Sequence, residues 1–274
     1  MEYIRKAVEL ASGAKSAAAE PILPRSIQQP RPVEPAPNRM GAGDGNIREA
    51  PLNLVHLEAN RIIAHDRLDL RSRSFDMLRT QILQSMDLKS WQLLAVTSPT
   101  PGCGKTLTSI NLALSIARQP EKSVLLVDMD LEKPQVAKCL GMQCNTGLLS
   151  VLEGRVALPN ALVRASVGNY KLMVLPCEAS TTHSSEYMTS RAMSTMLQEI
   201  KNEDRSRIVI FDMPPMLAGD NVISILPQMD CVLFVAAVGT STASEIKECN
   251  KHLQTSAVVR VVLNKASDLG PMYY

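Results

Sequence analysis

Short apolar runs alternate with helical patterns along most of this chain, and the alternation limits the folds that it can adopt. Each run is rich in Val, Leu and Ile and is apolar on both faces. Buried strands with helices on both sides have this composition. The sequence therefore predicts an α/β fold in which a mostly parallel sheet carries helices on both faces. The runs span residues 91–98, 123–128, 171–176, 207–212, 231–238 and 258–264, and helical segments lie near 105–118, 186–201, 219–226 and 242–254.

The composition divides the chain into three parts. Residues 1–12 have the apolar spacing of a short amphipathic helix, and the stretch after them carries six prolines between positions 21 and 37 and then three glycines. Proline removes amide donors and fixes φ, so this stretch is expected to be a disordered linker. We therefore predict an N-terminal helix and linker over residues 1–53, a folded domain over 54–264 and a tail over 265–274.

Charge and cysteine content exclude several classes of function. A net charge of +2 predicts no strong attraction to nucleic acid or to acidic lipid. The six cysteines form no C-x-x-C pair and no cluster with zinc spacing, so we expect reduced thiols in a cytosolic protein. No run of 18 apolar residues occurs, so no transmembrane helix is expected and a membrane role would need a partner.

A glycine-rich loop joins the first core run to a helical pattern and predicts a phosphate site. In the segment SPTPGCGKT, Gly102 and Gly104 let the backbone approach a phosphate, Lys105 reaches the β- and γ-phosphates, and Thr106 offers its hydroxyl to magnesium. The general pattern is G-x-x-x-x-G-K-[ST], and Pro99 stands at its first position. The sequence therefore predicts a P-loop NTPase. The residues expected to contact the nucleotide here are Pro101, Gly102, Cys103, Gly104, Lys105, Thr106 and Leu107.

Three acidic residues follow two further predicted strands. Asp128 and Asp130 end the run VLLVDMD, and Asp212 ends IVIFD. The carboxyl ends of parallel strands meet at one edge of the sheet, so these acids should face the phosphate loop, where carboxylates can hold Mg²⁺. The alternative is that acids at strand ends only cap the helices that follow.

Taken together, these motifs resemble those of the bacterial tyrosine kinases of capsule and exopolysaccharide systems (BY-kinases), which are relatives of the ParA/MinD ATPases. The resemblance covers about residues 70–274. It rests on TSPTPGCGKT as Walker A, VLLVDMDLEKP as the second aspartate motif and IVIFDMPP as Walker B, with weaker echoes such as VVLNK near the end. ParA/MinD proteins carry an additional lysine in the loop, and Thr100 stands in its place here, as is usual in the kinases.

The resemblance implies a role for each motif residue. Lys105 would bind phosphates and take part in catalysis, and Asp128 would position or deprotonate the attacking tyrosine. Asp130, also catalytic, would hold Mg²⁺ together with Asp212 and Thr106. Asn264 would contact adenine. The family phosphorylates a tyrosine-rich tail, so the implied phosphate acceptors are Tyr273 and Tyr274.

Two stretches depart from the family pattern. The second aspartate motif usually runs D-x-D-x-R, and Glu132 occupies the position of the arginine. The helix through which the family associates usually reads E-x-x-R-x-x-R, whereas this chain has Arg73, Asp76 and Arg79.

The expected function is therefore that of an ATP- and Mg²⁺-dependent protein-tyrosine autokinase in exopolysaccharide or capsule biosynthesis or export. Its expected location is the cytoplasm, at the inner face of the cell membrane. The expected partner is a separate membrane protein that activates the kinase or regulates chain length, and copies of the chain could associate by exchanging tails. The alternative function is that of a regulatory ATPase of the ParA/MinD type without kinase activity.

Overall fold

The computed structural model describes residues 47–254 and 256–266. In this part of the chain eight strands form one sheet, in the order β1-β4-β5-β3-β6-β2-β7-β8. Neighbouring strands are parallel except β4 and β5, which confirms the prediction of a mostly parallel sheet. The strands are β1 (Arg48–Pro51), β2 (Leu93–Thr97), β3 (Val124–Asp128), β4 (Val163–Val167), β5 (Tyr170–Leu175), β6 (Ile208–Asp212), β7 (Cys231–Ala237) and β8 (Val258–Asn264).

Helices cover both faces of the sheet, as the apolar runs predict. One buried cluster joins one face of the sheet to α1–α4, and a second cluster joins the other face to α5–α10. The helices are α1 (Leu54–Ala59), α2 (Arg73–Lys89), α3 (Lys105–Ala117), α4 (Val136–Leu140), α5 (Leu148–Leu152), α6 (Leu158–Ala161), α7 (Ser184–Met188), α8 (Arg191–Glu203), α9 (Asn221–Ile225) and α10 (Ala243–His252).

Side-chain caps fix the ends of several helices. The Ser190 hydroxyl accepts the amide of Met193 and starts α8, so the helix expected over 186–201 is divided into α7 and α8. Thr242 and Glu245 form a reciprocal capping box at the start of α10. These caps satisfy amides that have no partner inside the helix.

The sequence pattern misses two strands. Residues 48–51, which fall within the predicted linker, form β1 and pair with β4. The β4–β5 hairpin turns through Gly168 and Asn169, and Gly168 has a φ of 55°. Since β4 is antiparallel to β5, β1 and β4 run opposite to the other six strands. The folded part therefore starts before the expected boundary at residue 54.

Some of the other predictions concern described residues, and some lie outside them. The six cysteines are free thiols. No helix of the described part is long and apolar enough to cross a bilayer. The predicted N-terminal helix, the linker up to residue 46 and the tail tyrosines Tyr273 and Tyr274 lie outside the described residues.

Candidate active site

The phosphate loop lies between β2, which ends at Thr97, and α3, which begins at Lys105. Gly102 and Gly104 have φ values of 79° and 92°, in the left-handed region that glycine adopts without a steric penalty. This backbone brings the loop to the amino end of α3, whose first amides lack helical partners and can bind an anion. The predicted strand–loop–helix arrangement is confirmed.

The segment after β6 supports the first half of the loop. The amide of Met216 donates to the carbonyl of Ser98 at 2.8 Å, and that of Leu217 donates to the carbonyl of Pro99 at 3.1 Å. The Thr97 hydroxyl also donates to the carbonyl of Pro214 at 2.8 Å. The loop and the Asp-Met-Pro-Pro motif therefore form one connected unit.

Asn264, the last residue of β8, supports the second half of the loop. Its Nδ2 donates to the carbonyl of Cys103 at 2.9 Å. A Cβ atom added to Gly104 would lie 2.1 Å from the same Nδ2, which is far inside contact distance. The amide expected to contact adenine is thus bonded to the loop itself, and this contact requires glycine at position 104.

The three acids lie where the parallel strands end. Asp128 and Asp212 are register partners on β3 and β6, and both are fully buried. Asp130 lies two residues beyond β3, and its Oδ2 accepts the Lys105 Nζ at 2.8 Å. The structure therefore brings Lys105 and the three predicted acids together at one edge of the sheet.

Each buried carboxylate keeps one oxygen without a partner. Asp128 Oδ2 accepts the amides of Gln135 and Val136 at 3.1 and 2.9 Å, so the capping alternative holds for this oxygen. Asp212 Oδ1 accepts the Ser109 hydroxyl at 3.0 Å. Asp128 Oδ1 and Asp212 Oδ2 are buried without a hydrogen bond. Buried polar atoms in this state commonly mark a functional site.

Burial and mutual repulsion change the protonation of these groups. Burial, followed by the charge of Asp212, raises the pKa of Asp128 well above its ordinary value. Burial also raises the pKa of Asp212, although the charge of Lys105 opposes the rise. Burial alone would lower the pKa of Lys105, but the charges of Asp212 and Asp130 outweigh it and raise that pKa. The cluster therefore favours a proton or a further cation among its carboxylates.

A magnesium ion that arrives with a nucleotide fits these residues. Among the described residues, no three His, Cys, Asp or Glu side chains lie close enough together to hold a metal ion by themselves. In nucleotide sites Mg²⁺ is usually held by one or two carboxylates together with phosphates and water. Asp128 and Asp212 each keep a partnerless oxygen, and Thr106 lies close to Asp212. These oxygen atoms would complete the coordination shell of a Mg²⁺ ion that is also bound by phosphates and water.

A cleft of about 470 Å³ opens beside the phosphate loop, within the range usual for small ligands. Asp128 and Asp212 are buried and do not line the cleft, and Cys103 is buried with its Sγ 3.3 Å from the Ser241 hydroxyl. Several lining residues were missed from sequence because they come from segments distant from the loop. These are Asn60, Gln135, Cys139, Ala218 and Asn221.

Glu132, which occupies the family's arginine position, belongs to the wall of this cleft. Its Oε1 accepts the Ser184 hydroxyl at 2.7 Å and the Asn221 Nδ2 at 2.9 Å. Asn221 Nδ2 also donates to the Ser184 hydroxyl at 2.9 Å. An arginine could accept neither bond, so the glutamate is matched to its neighbours in this chain.

The stretch that differs from the family's association helix forms hydrogen bonds and ion pairs within the chain. Asp76 Oδ1 accepts the Ser115 hydroxyl at 2.6 Å, the Arg79 guanidinium at 3.1 Å and the Arg118 guanidinium. The Arg79 Nη1 also donates to the carbonyl of Ser115 at 3.0 Å. Asp76 and Arg79 therefore bind α2 to α3.

Comparisons with known proteins agree with this geometry. The family described as the AAA domain matches residues 91–256. A Ralstonia solanacearum protein named as the tyrosine-protein kinase EpsB is 31% identical over 192 residues, which cover 70% of this chain and 25% of that protein. Tyrosine-protein kinase YwqD of Bacillus subtilis (strain 168) is 29% identical over 210 residues, which cover 76% of this chain and 86% of YwqD. The chain thus spans about a quarter of EpsB and most of YwqD.

The solved structures show the same fold. The BceF tyrosine kinase domain is 25% identical, has a TM-score of 0.64 and is covered over 91% of its length by 80% of this chain. The predicted P-loop fold and the predicted resemblance to bacterial tyrosine kinases are both confirmed. The family match spans more than half of this chain, so the chain belongs to the AAA domain family. The kinases named above are relatives that it resembles.

Proposed function

We propose that the chain is an ATP- and Mg²⁺-dependent protein-tyrosine autokinase that acts in exopolysaccharide or capsule biosynthesis or export. The observation that carries the proposal is the meeting of Lys105 with three acids beside a phosphate loop. The names of the relatives support tyrosine as the phosphate acceptor, and the resemblance to the kinases of exopolysaccharide systems supports the setting.

Lys105 has two competing sets of partners in this proposal. Its Nζ is bonded to Asp130, which lines the cleft with it. The β- and γ-phosphates of a bound nucleotide would offer the ammonium a stronger charge. Transfer of Lys105 to the phosphates would leave Asp130 available to the hydrated Mg²⁺, which neutralises charge on the transferred group.

The transfer step needs a base, because a phenolic hydroxyl has a pKa near 10. The tyrosine oxygen bonds to the γ-phosphorus, the bond from that phosphorus to the oxygen of ADP breaks, and the phenolic proton passes to Asp128. The partnerless Oδ1 of Asp128 suits this role, because it has a free lone pair for the phenolic proton. Asp212 would complete the magnesium shell together with Thr106.

A regulatory ATPase of the ParA/MinD type is the alternative. Thr100 stands where those proteins carry their additional loop lysine, which favours the kinase. For the cellular setting, we propose a cytoplasmic protein that a separate membrane activator or chain-length regulator recruits to the inner face of the membrane.

The test is incubation of the purified chain with Mg²⁺ and ATP labelled at the γ-phosphate, followed by mass spectrometry. We expect phosphotyrosine in the wild type and none in Lys105→Ala. Lys122→Ala is the matched control, because it removes a lysine that pairs with Asp87 at the surface, and it should keep full activity. ATP hydrolysis without phosphotyrosine in the wild type would identify the chain as a regulatory ATPase.

A further inference from the structure

A groove of about 430 Å³ runs between α10 and β8, away from the active-site cleft. Cys249 is the one buried residue of α10, so this ten-residue helix covers little of the sheet beneath it. On β8, Val261 and Leu263 are 63% and 61% exposed. The groove is lined mainly by Phe234, Ile246, Lys247, Leu253, Val258 and Val261.

This apolar groove lies beside an edge strand, where an exposed apolar surface is unusual. β8 is the last strand of the sheet in the described part of the chain, so its outer backbone groups face no neighbouring strand there. Proteins usually cover or charge such edges, because an apolar edge invites pairing with another segment. Exposed apolar residues on both the strand and the helix therefore indicate a surface that some other segment covers.

The chain itself supplies a segment at the right place. Lys265, directly after β8, has a φ of 58°, and its amide donates to Asn264 Oδ1 at 2.8 Å, so the chain begins to turn as the strand ends. Eight residues, 267–274, follow with the sequence SDLGPMYY. They can span roughly 26 Å, and the seven residues of β8 span roughly 23 Å, so a segment that reverses direction reaches the far end of the groove.

The chemistry of this segment matches the groove. Leu269, Met272 and the two tyrosines supply apolar side chains, and Asp268 is opposite in charge to Lys247 of the groove. A segment tethered within a few residues of its site acts at a millimolar effective concentration. A groove of this volume holds a few side chains and is small for a stable interface between two copies of the chain.

We propose that residues 267–274 fold back along β8 and occupy the groove between α10 and β8. Docking places Tyr273 and Tyr274 at the end of the groove remote from the phosphate loop. The docking stands independently of catalysis, whereas its consequence rests on the proposed kinase function: the docked tyrosines are withheld from phosphoryl transfer until the segment is released. Asn264 links the two regions, because it precedes the turn and bonds to the loop carbonyl of Cys103.

Hydrogen–deuterium exchange of the full chain without nucleotide tests the docking. In the wild type, amides of residues 267–274 should exchange more slowly than those of the same peptide in isolation. Val261→Asp should raise their exchange by about tenfold, since burial of one valine contributes stabilisation of that order. Leu88→Asp is the control: Leu88 is 84% exposed on α2, outside the groove, and its replacement should change nothing in the tail. Unaltered exchange in β2 and β7 would show that both variants are folded.

Three results would overturn the proposal. The tail could exchange as fast as the isolated peptide, it could be insensitive to Val261→Asp, or its protection could vanish on dilution, which would assign the groove to a second copy. Phosphorylation of the tail, measured on the same samples, separates the two claims. Faster tail phosphorylation in Val261→Asp supports the withheld state, whereas a protected tail that never acquires phosphate leaves the docking intact and contradicts the kinase function.

Discussion

Two separate constraints favour glycine at position 104 of the phosphate loop. Its φ of 92° favours glycine, and the Asn264 amide occupies the space where a Cβ would lie. The first constraint is local and recurs at other glycines of the chain, whereas the second comes from a strand 160 residues later in the sequence. Substitution at this position should therefore disturb both the loop and the end of β8.

Gly104→Ala should reduce ATP affinity by tenfold or more, because the alanine methyl group displaces Asn264 and distorts the loop. Calorimetric titration with Mg·ATP measures the effect. Gly154→Ala is the matched control: its φ is 69° but nothing lies within 4 Å of the added Cβ, so it carries the backbone strain of about 1 kcal/mol alone. Equal ATP affinities in the two variants would contradict a role for the Asn264 contact.

At the scale of elements, the α2–α3 pair depends on one carboxylate. Burial alone would raise the pKa of Asp76, but hydrogen bonds from Arg118 and Ser115 and the charge of Arg79 outweigh it and lower that pKa. Arg118 is almost completely buried, so it would lose its charged partner inside the protein if Asp76 were replaced or protonated. The two helices are therefore joined by a pH-dependent contact.

Asp76→Asn should lower the free energy of unfolding by about 2 kcal/mol at neutral pH, the order expected for hydrogen bonds to a charged group. Because the folded-state pKa lies below the ordinary 3.8, the wild type keeps this stabilisation above that pH and loses it as the pH falls through the folded value. Urea unfolding at neutral and acidic pH measures both effects. Asp87→Asn, on the same helix, removes only a surface pair with Lys122 and should change stability little.

The strands that the sequence predicted share one physical property. The six predicted runs are largely apolar and are the six strands that point in the same direction. Four of them, β2, β3, β6 and β7, are fully buried, whereas β8 at the edge of the sheet is mostly exposed. β1 and β4 were missed because neither contains an apolar run: REAP begins with two charged residues, and Arg164 and Ser166 interrupt the apolar residues of VRASV. The Gly168–Asn169 pair was an available hairpin signal, since two such residues between strands favour a tight turn.

Some residues of the candidate site could likewise be predicted from the sequence, and others could not. Lys105 and the three acids could be predicted because each stands at a fixed distance from a strand end. The contacts of Ser109 with Asp212 and of Ser184 with Glu132 could not, because they join segments distant in sequence whose meeting depends on packing. Serine is common at protein surfaces, so the presence of a serine in the sequence does not indicate such a contact.

At the scale of the whole molecule, β8 ends beside the active site. Asn264 contacts the loop, so the residues after it start beside the cleft. Under the proposed function, release from the α10–β8 groove would let Tyr273 and Tyr274 reach an active site in the same or a neighbouring copy.

The double variant Tyr273→Phe/Tyr274→Phe should lose most of its phosphotyrosine and keep its ATP affinity, because phenylalanine removes the nucleophile and leaves the ring. Mass spectrometry after incubation with Mg·ATP locates the phosphate. Tyr187→Phe, which removes a surface hydroxyl bonded to Glu153, should leave tail phosphorylation unchanged. Undiminished phosphotyrosine in the double variant would move the acceptor site elsewhere in the chain.

The reversed direction of β1 determines how the domain is oriented toward anything that holds its N-terminal arm. Because β1 runs against the six main strands, Arg48 enters the sheet on the same edge at which Asn264 leaves it. Seven strand spacings separate the two points, about 34 Å. A tether pulling at Arg48 would therefore turn the nucleotide-binding edge of the sheet toward the anchoring surface.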